Sequence, residues 1–237
     1  MIHINLTADK SLLERCKNQF NINIMAKLRS GILDGFSGKV GSVVGSIWKG
    51  ICTIRMYVAN PTNPNSPAQL EQRAKFATVM KFLQPLTSFF RVGFKNLAIG
   101  QTAVNAAFSA NFPDLITGVF PNFSIDYSKA VVSKGNLAGA LNPTVTATLA
   151  GQIHYTWEDN SWETNGDASD QAMLVVYNPI KQAVVAIVNG PARSTMTMSV
   201  ILPNSYAGDE VQCYIAFINQ SGTKVSNSEY VLGLIVL

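Results

Sequence analysis

The sequence predicts an α+β protein: an N-terminal β-hairpin plus helices, followed by a C-terminal antiparallel β-sandwich. Three observations carry this expectation. Residues 35–58 read as two strands about a two-residue turn. Residues 66–110 hold the chain's clear helix punctuation. From residue 119 onward the helix signals stop and short β-rich runs recur between turns. The expected division is a 1–24 extension, a basic 25–118 hairpin-plus-helix module and a 119–237 sandwich domain.

Residues 1–24 stand apart. Residues 8–20 fit one short amphipathic helix that nothing after it continues. Met25 opens the small basic run MAKLRSGIL and is a candidate alternative start, with 1–24 upstream of it. Asp9, Lys10, Glu14, Arg15 and Lys17 sit where a secretory signal would have its apolar region, so no signal peptide is read. No stretch approaches the roughly 18 apolar residues of a membrane span. The expected location is the cytoplasm, or a virion or other particle.

In the hairpin, GFSGKVGSVVGSIW forms the first strand and ICTIRMYV the second. Lys49-Gly50 is the turn, with glycine free to adopt positive φ. Cys52, Ile54, Met56 and Val58 share one face and Thr53, Arg55 and Tyr57 the other, which predicts a buried and a wet side. The loop ANPTNPNS follows. Ser66 then caps a helix, Pro67 takes its first position, and Gln69 completes a capping box. Two helical stripes emerge, Leu70/Ala74/Ala77/Met80 and Phe76/Val79/Leu83/Leu86. Pro85 breaks or kinks the helix. Residues 87–97 resume it and bury Phe90, Phe94 and Leu97, and 102–110 form another short helix.

Seven strands are expected at 144–149, 153–158, 172–177, 183–188, 194–202, 211–218 and 230–237. Tyr206, just before the sixth, is placed like a tyrosine-corner residue. Cys213 has no partner cysteine on an earlier strand of this half, so the sandwich is expected to be fibronectin-III-like rather than antibody-like within the Ig-like class.

Only 14% of residues are charged, against roughly 25% in ordinary domains. The surface is therefore built from Asn, Ser, Thr, Gln and Gly. With 47% hydrophobic residues, the disordered and coiled-coil classes are excluded. The net +4 is uneven. Residues 1–100 hold 13 Lys/Arg against 4 Asp/Glu, a balance of +9, and the remainder holds 5 against 10, a balance of −5. A basic front suits nucleic acid, an acidic surface, or the acidic back of a neighbouring copy.

Catalytic material is sparse. Gly38-Lys39 fails as a phosphate loop at Leu33 and Val40, and Gly35, Gly38, Gly41 and Gly45 do not space as a dinucleotide fingerprint. Those glycines are read as close packing or bulges. His3 lies in the prefix, and His154 reads as a structural histidine in a strand. Cys16, Cys52 and Cys213 form no C-x-x-C and read as free thiols, the latter two inside strands. No catalytic residue, metal ligand or cofactor is expected, and the chain is expected not to be an enzyme. The candidate interface comprises Lys39, Trp48, Arg55, Arg73, Lys75, Lys81 and Arg91. A weaker candidate is the loop WEDNSWETNGDASD, with Trp157, Asp159, Trp162 and Asp167. Its carboxylates lack EF-hand spacing, which favours a solvated loop over calcium, with paired carboxylates for glycoside hydrolysis and sugar stacking on the flanking tryptophans as further alternatives.

The runs MAKLRSGILDGFSGKVGSVVGSIWKG, NPTNPNSPAQLEQRAKF, FPNFSIDYSKAVVSKGNLAG, LPNSYAGDEVQCY and VSNSEYV resemble an uncharacterised bacterial family known only as a domain of unknown function. The resemblance runs from about Met25 to the C-terminus and implies no activity. Where that pattern is more basic, this chain has Ile54 and Met56 about Arg55, and Asn65 before Ser66, which weakens a nucleic-acid reading. The leading expectation is a non-enzymatic structural, assembly or binding protein, in a phage or other particle, whose partner is a second copy or another protein. Nucleic acid at the basic module and carbohydrate at the tryptophan loop are the alternatives.

Overall fold

A computed structural model describes residues 36–60, 63 and 65–237. The 1–24 extension, the start at Met25, His3 and Cys16 lie outside the described residues. The chain divides after Pro64 into two compact units.

In the first unit, β1 (Gly38–Val40), β2 (Val43–Trp48) and β3 (Ile51–Met56) form an antiparallel sheet in that order. Lys49 (φ 47°) and Gly50 (φ 79°) are both left-handed, the geometry that two-residue hairpins require. The expected first strand is two strands, because Gly41 (φ 60°) turns the chain between Val40 and Val43. Pairing fixes the faces. Lys39, Val44 and Arg55 align on one side, and Val40, Val43 and Met56 on the other. Gly45 shows why its glycine is needed: a Cβ there would lie 2.6 Å from the Phe36 ring, which packs on this apolar side. The expected buried face is only partly buried. Cys52 is buried, but Met56 is 71% and Val58 62% exposed. A single thin sheet buries a face only where something lies on it.

The second unit begins at the capping box. Gln69 N–H donates to Ser66 Oγ (3.4 Å) and Ser66 N–H donates to Gln69 Oε1 (3.3 Å). They open α1 (Pro67–Leu83), with proline in the first turn. Pro85 ends that helix, and α2 (Thr87–Gly93) resumes after the Thr87 hydroxyl bonds the Gln84 carbonyl (2.7 Å). A 3-10 turn (Lys95–Leu97) replaces the last expected helical turn, which leaves Leu97 exposed while Phe90 and Phe94 are buried. Thr102 caps α3 (Ala103–Asn111). Of the two α1 stripes, only Val79, Leu83 and the following Leu86 are fully buried, with Phe82; Leu70 and Phe76 are exposed. A hairpin the sequence reading did not register, β4 (Ile116–Val119) and β5 (Asn122–Ile125), follows.

All seven expected sandwich strands form: β6 (Leu141–Leu149), β7 (Gln152–Glu158), β8 (Gln171–Asn178), β9 (Ala183–Ile187), β10 (Thr197–Ile201), β11 (Glu210–Ile218) and β12 (Glu229–Ile235). They make antiparallel sheets ordered β10-β7-β6 and β12-β11-β8-β9. Placing β9 beside β8 gives three strands against four, unlike the antibody constant arrangement, whose fourth strand joins the other sheet. Cys213 and Cys52 are buried. Burial raises the Cys213 thiol pKa to about 12. Tyr206 is buried in the turn before β11.

The four-stranded sheet is buried on both sides. Ala172, Leu174, Val176, Cys213, Ile215 and Phe217 face the three-stranded sheet and meet Ile153, Tyr155 and Trp157. The intervening Met173, Val175, Tyr177, Tyr214 and Ala216 meet Val79, Phe82, Leu86, Phe89, Phe90 and Phe94 of the helical segment. The unit is thus three layers: helices, sheet, sheet. The structural division accordingly falls at Pro64/Asn65 and not at 118/119. Sequence adjacency and charge group the helices with the hairpin, yet their apolar faces pack on β8 and β11.

Removing Phe82, which stacks edge-on against Tyr177 at 5.0 Å, should cost about 3–5 kcal/mol in Phe82→Ala by urea unfolding. Leu70→Ala should stay within about 0.5 kcal/mol. Helix ellipticity in the far ultraviolet and tyrosine ellipticity in the near ultraviolet should be lost together, since one core joins both layers.

Candidate functional site

The loop between β7 and β8 is organised by a side chain the sequence reading counted only as a charge. Arg193, in the 3-10 turn Arg193–Thr195 before β10, is fully buried. Its Nη1 donates to the Gly139 carbonyl (2.8 Å) and to Asn160 Oδ1. Its Nη2 donates to the Ala138 carbonyl (2.9 Å) and to Asp170 Oδ2 (3.2 Å). Its Cζ lies 3.8 Å from the centroid of the Phe217 ring, a cation–π contact. Burial lowers the guanidinium pKa, and the Asp170 carboxylate opposes that shift. No local sequence signal marks this role, because the partners lie 23 to 55 residues away.

From that anchor the loop is built outward. Asn160 Nδ2 donates to Glu163 Oε1 (3.0 Å) and to the Gly139 carbonyl (3.2 Å). Glu163 N–H returns to the Asn160 carbonyl, and Gly166 N–H to that of Glu163. Asp170 Oδ2 also accepts from Asp167 N–H (2.9 Å). Asp159 accepts from Ser161 N–H (3.0 Å), and Asp167 from the Ser169 amide (2.8 Å) and hydroxyl (2.6 Å). The three aspartates are thus occupied in turning the backbone. Among the described residues no group of three or more His, Cys, Asp or Glu is placed to hold a metal ion.

The two tryptophans part company. Trp157 is 4% exposed, donates its indole N–H to the Arg193 carbonyl (2.8 Å) and packs edge-on against Phe217. It therefore cannot serve as a stacking platform, which corrects its place among the loop candidates. Its parity with Ile153 and Tyr155 in β7 carried that information. Trp162 is 77% exposed. It lines a cleft of about 380 Å³ with Asn136, Glu163, Thr164 and Asn165. A second cleft of about 390 Å³ shares Leu137, Thr164 and Asn165 and continues to Gln220 and Lys224. His154 points away from the core, its ring nitrogens each 3.0 Å from the Ser199 and Thr197 hydroxyls.

The basic candidates fall in both units. Lys39, Trp48 and Arg55 are exposed residues of the first unit's sheet. They share one face, where the Lys39 ammonium sits 3.4 Å from the Tyr57 ring centroid. Arg73, Lys75 and Lys81 are on α1 and Arg91 on α2. Arg73 and Lys75 are about 200° apart around the helix, so the α1 cations do not form one stripe. Arg73 bonds Asn65 (2.9 Å), and Lys75 pairs with Glu71 (2.7 Å). No helix of the described residues is long and apolar enough to cross a membrane.

A model of the family of unknown function DUF6266 matches residues 35–233. The chain belongs to this family. The DUF6266 match begins at residue 35 rather than at Met25, and it takes in the hairpin sheet, the helices and most of the sandwich. None of the curated proteins matches this DUF6266 chain. Among solved structures, the fn3 domain of the human collagen alpha-1(XX) chain, determined in solution, is similar at 9% identity with a TM-score of 0.32. That similarity covers 43% of this chain and 86% of that one.

Asp170→Ala should cost about 3–5 kcal/mol by urea unfolding, because it strands a buried guanidinium. Pairing Asp170→Leu with Arg193→Met should recover only part, since the Ala138 carbonyl and Asn160 Oδ1 would lose their guanidinium donor. Asp167 offers a pH test. The Ser169 hydroxyl and amide hold its pKa below the usual carboxylate range. The folded state therefore resists protonation more than the unfolded chain does. Its contribution is present above pH about 4 and is lost as pH falls through the lowered value. Thermal melts of Asp167→Asn should show a shallower acid limb than wild type.

Proposed function

We propose that this DUF6266 protein is a non-enzymatic assembly protein that docks through its N-terminal three-stranded sheet, with a second copy as the partner. The observation that carries the reading is the two-faced chemistry of that sheet. One side presents Lys39, Trp48, Arg55 and Tyr57. The other is apolar and leaves Val40, Ile47 and Met56 exposed. Exposed apolar side chains concentrated on one small element mark interaction surfaces. The charge balance supports the choice of partner. Residues 1–64, which include the sheet, hold 8 Lys/Arg against 3 Asp/Glu, a balance of +5, and residues 65–237 hold 10 against 11, so a basic sheet favours contact with acidic residues of another copy, a heterologous arrangement that builds rings or filaments. A phage or other particle is the setting such assembly suits.

Size-exclusion chromatography with light scattering tests this at low and high salt. Mass should rise with protein concentration at low ionic strength and fall toward the monomer as salt screens the opposed charges. Lys39→Glu combined with Arg55→Glu should shift the low-salt distribution toward monomer. A strict monomer at high concentration in low salt would overturn self-assembly.

A further inference from the structure

We propose that the Trp162 cleft is a binding site for a neutral oligosaccharide, with the indole as its stacking platform. This goes beyond the assembly reading, which uses other residues in the other unit.

The largest apolar side chain of the β7–β8 loop is 77% exposed. Its loop is not loosely attached. Arg193, Asn160 and Glu163 fix the base, and the Asp167–Asp170 turn fixes the far end. An aromatic side chain on an anchored backbone has only two side-chain torsions to lose when a ligand stacks on it.

Trp162 lines a cleft of about 380 Å³, and a second of about 390 Å³ shares Leu137, Thr164 and Asn165 with it; both volumes fall within the range of small-ligand sites. Their lining is mostly amide and hydroxyl. The side chains of Asn136, Thr164, Asn165 and Gln220 make no hydrogen bond to another described residue, so their donors and acceptors face outward unused. A pyranose presents the complementary surface: an apolar C–H face for an indole and a fringe of hydroxyls for amides and hydroxyls.

Charge narrows the class. Asp170 is neutralised by Arg193. Glu163 and Asp167 against Lys224 leave the clefts slightly acidic. That disfavours uronic or sulfated sugars and nucleic acid. Two clefts side by side suit several sugar units rather than one.

The full-length protein is titrated calorimetrically with cellohexaose, chitohexaose, maltohexaose and xylohexaose, and with a polygalacturonate oligomer as the acidic arm. Saturable binding of at least one neutral oligomer is expected, with a change in tryptophan fluorescence. Trp162→Ala should weaken it about tenfold or more, Trp162→Phe less, in line with the cost of losing one aromatic stack. Both variants should melt like wild type, because the side chain contributes little to the core. Asn165→Ala should weaken the same ligand without abolishing the fluorescence response. No saturable binding by any neutral oligomer would overturn the proposal. So would binding that survives Trp162→Ala unchanged, or a preference for polygalacturonate. Light scattering on the same samples separates the two readings, since self-association does not depend on Trp162.

Discussion

A guanidinium sealed from water must be met by fixed oxygens, and Arg193 imposes that demand on four parts of the chain. Taking such an ion out of solvent costs several kcal/mol before any partner is counted. It is answered by two carbonyls just before β6, an amide in the β7–β8 loop, a carboxylate at the entry to β8, and the face of a β11 phenylalanine. The pieces are far apart in sequence, and the guanidinium bonds them all at one point. The guanidinium therefore works as a registration pin. It sets where the segment before β6 lies, how the β7–β8 loop folds back, and which tryptophan goes in and which stays out.

Much of the fold was legible because its signals are local. A capping box, a proline in the first turn and a second proline eighteen residues on define α1 without reference to anything else. The sandwich strands announce themselves between turns. What stayed hidden is long-range. In β8 the apolar run AMLVVY gives no alternation, because both faces are covered, one by helices and one by a sheet. Nothing in the helical segment says that its aromatic stripe seats on strands a hundred residues later. The short β4–β5 hairpin lies between the helices and the sandwich without the alternation that marks a longer strand.

The candidate surfaces were legible to different degrees for the same reason. Face membership in the N-terminal sheet follows from counting residues, so Lys39, Trp48 and Arg55 come out on one side as soon as the turn at Gly41 is known. The cations of α1 were grouped by proximity in sequence, and helical geometry spreads them around the axis. In the acidic loop composition points to a site, but its aspartates are bound to backbone amides. The group left open to a ligand is an indole among amides.

The helical layer has a consequence for the order in which the chain is made. Phe82, Phe89, Phe90 and Phe94 leave the ribosome well before β8 and β11, the strands that cover them. Contacts of such sequence separation delay productive collapse. A nascent chain halted near residue 160 would display a strip of uncovered aromatic rings, the kind of surface that chaperones bind and that aggregates at high concentration. Synthesis of the last sandwich strands completes the burial. Yield of native protein should therefore depend on how fast translation runs through the C-terminal half, a property set during production and invisible in the finished molecule.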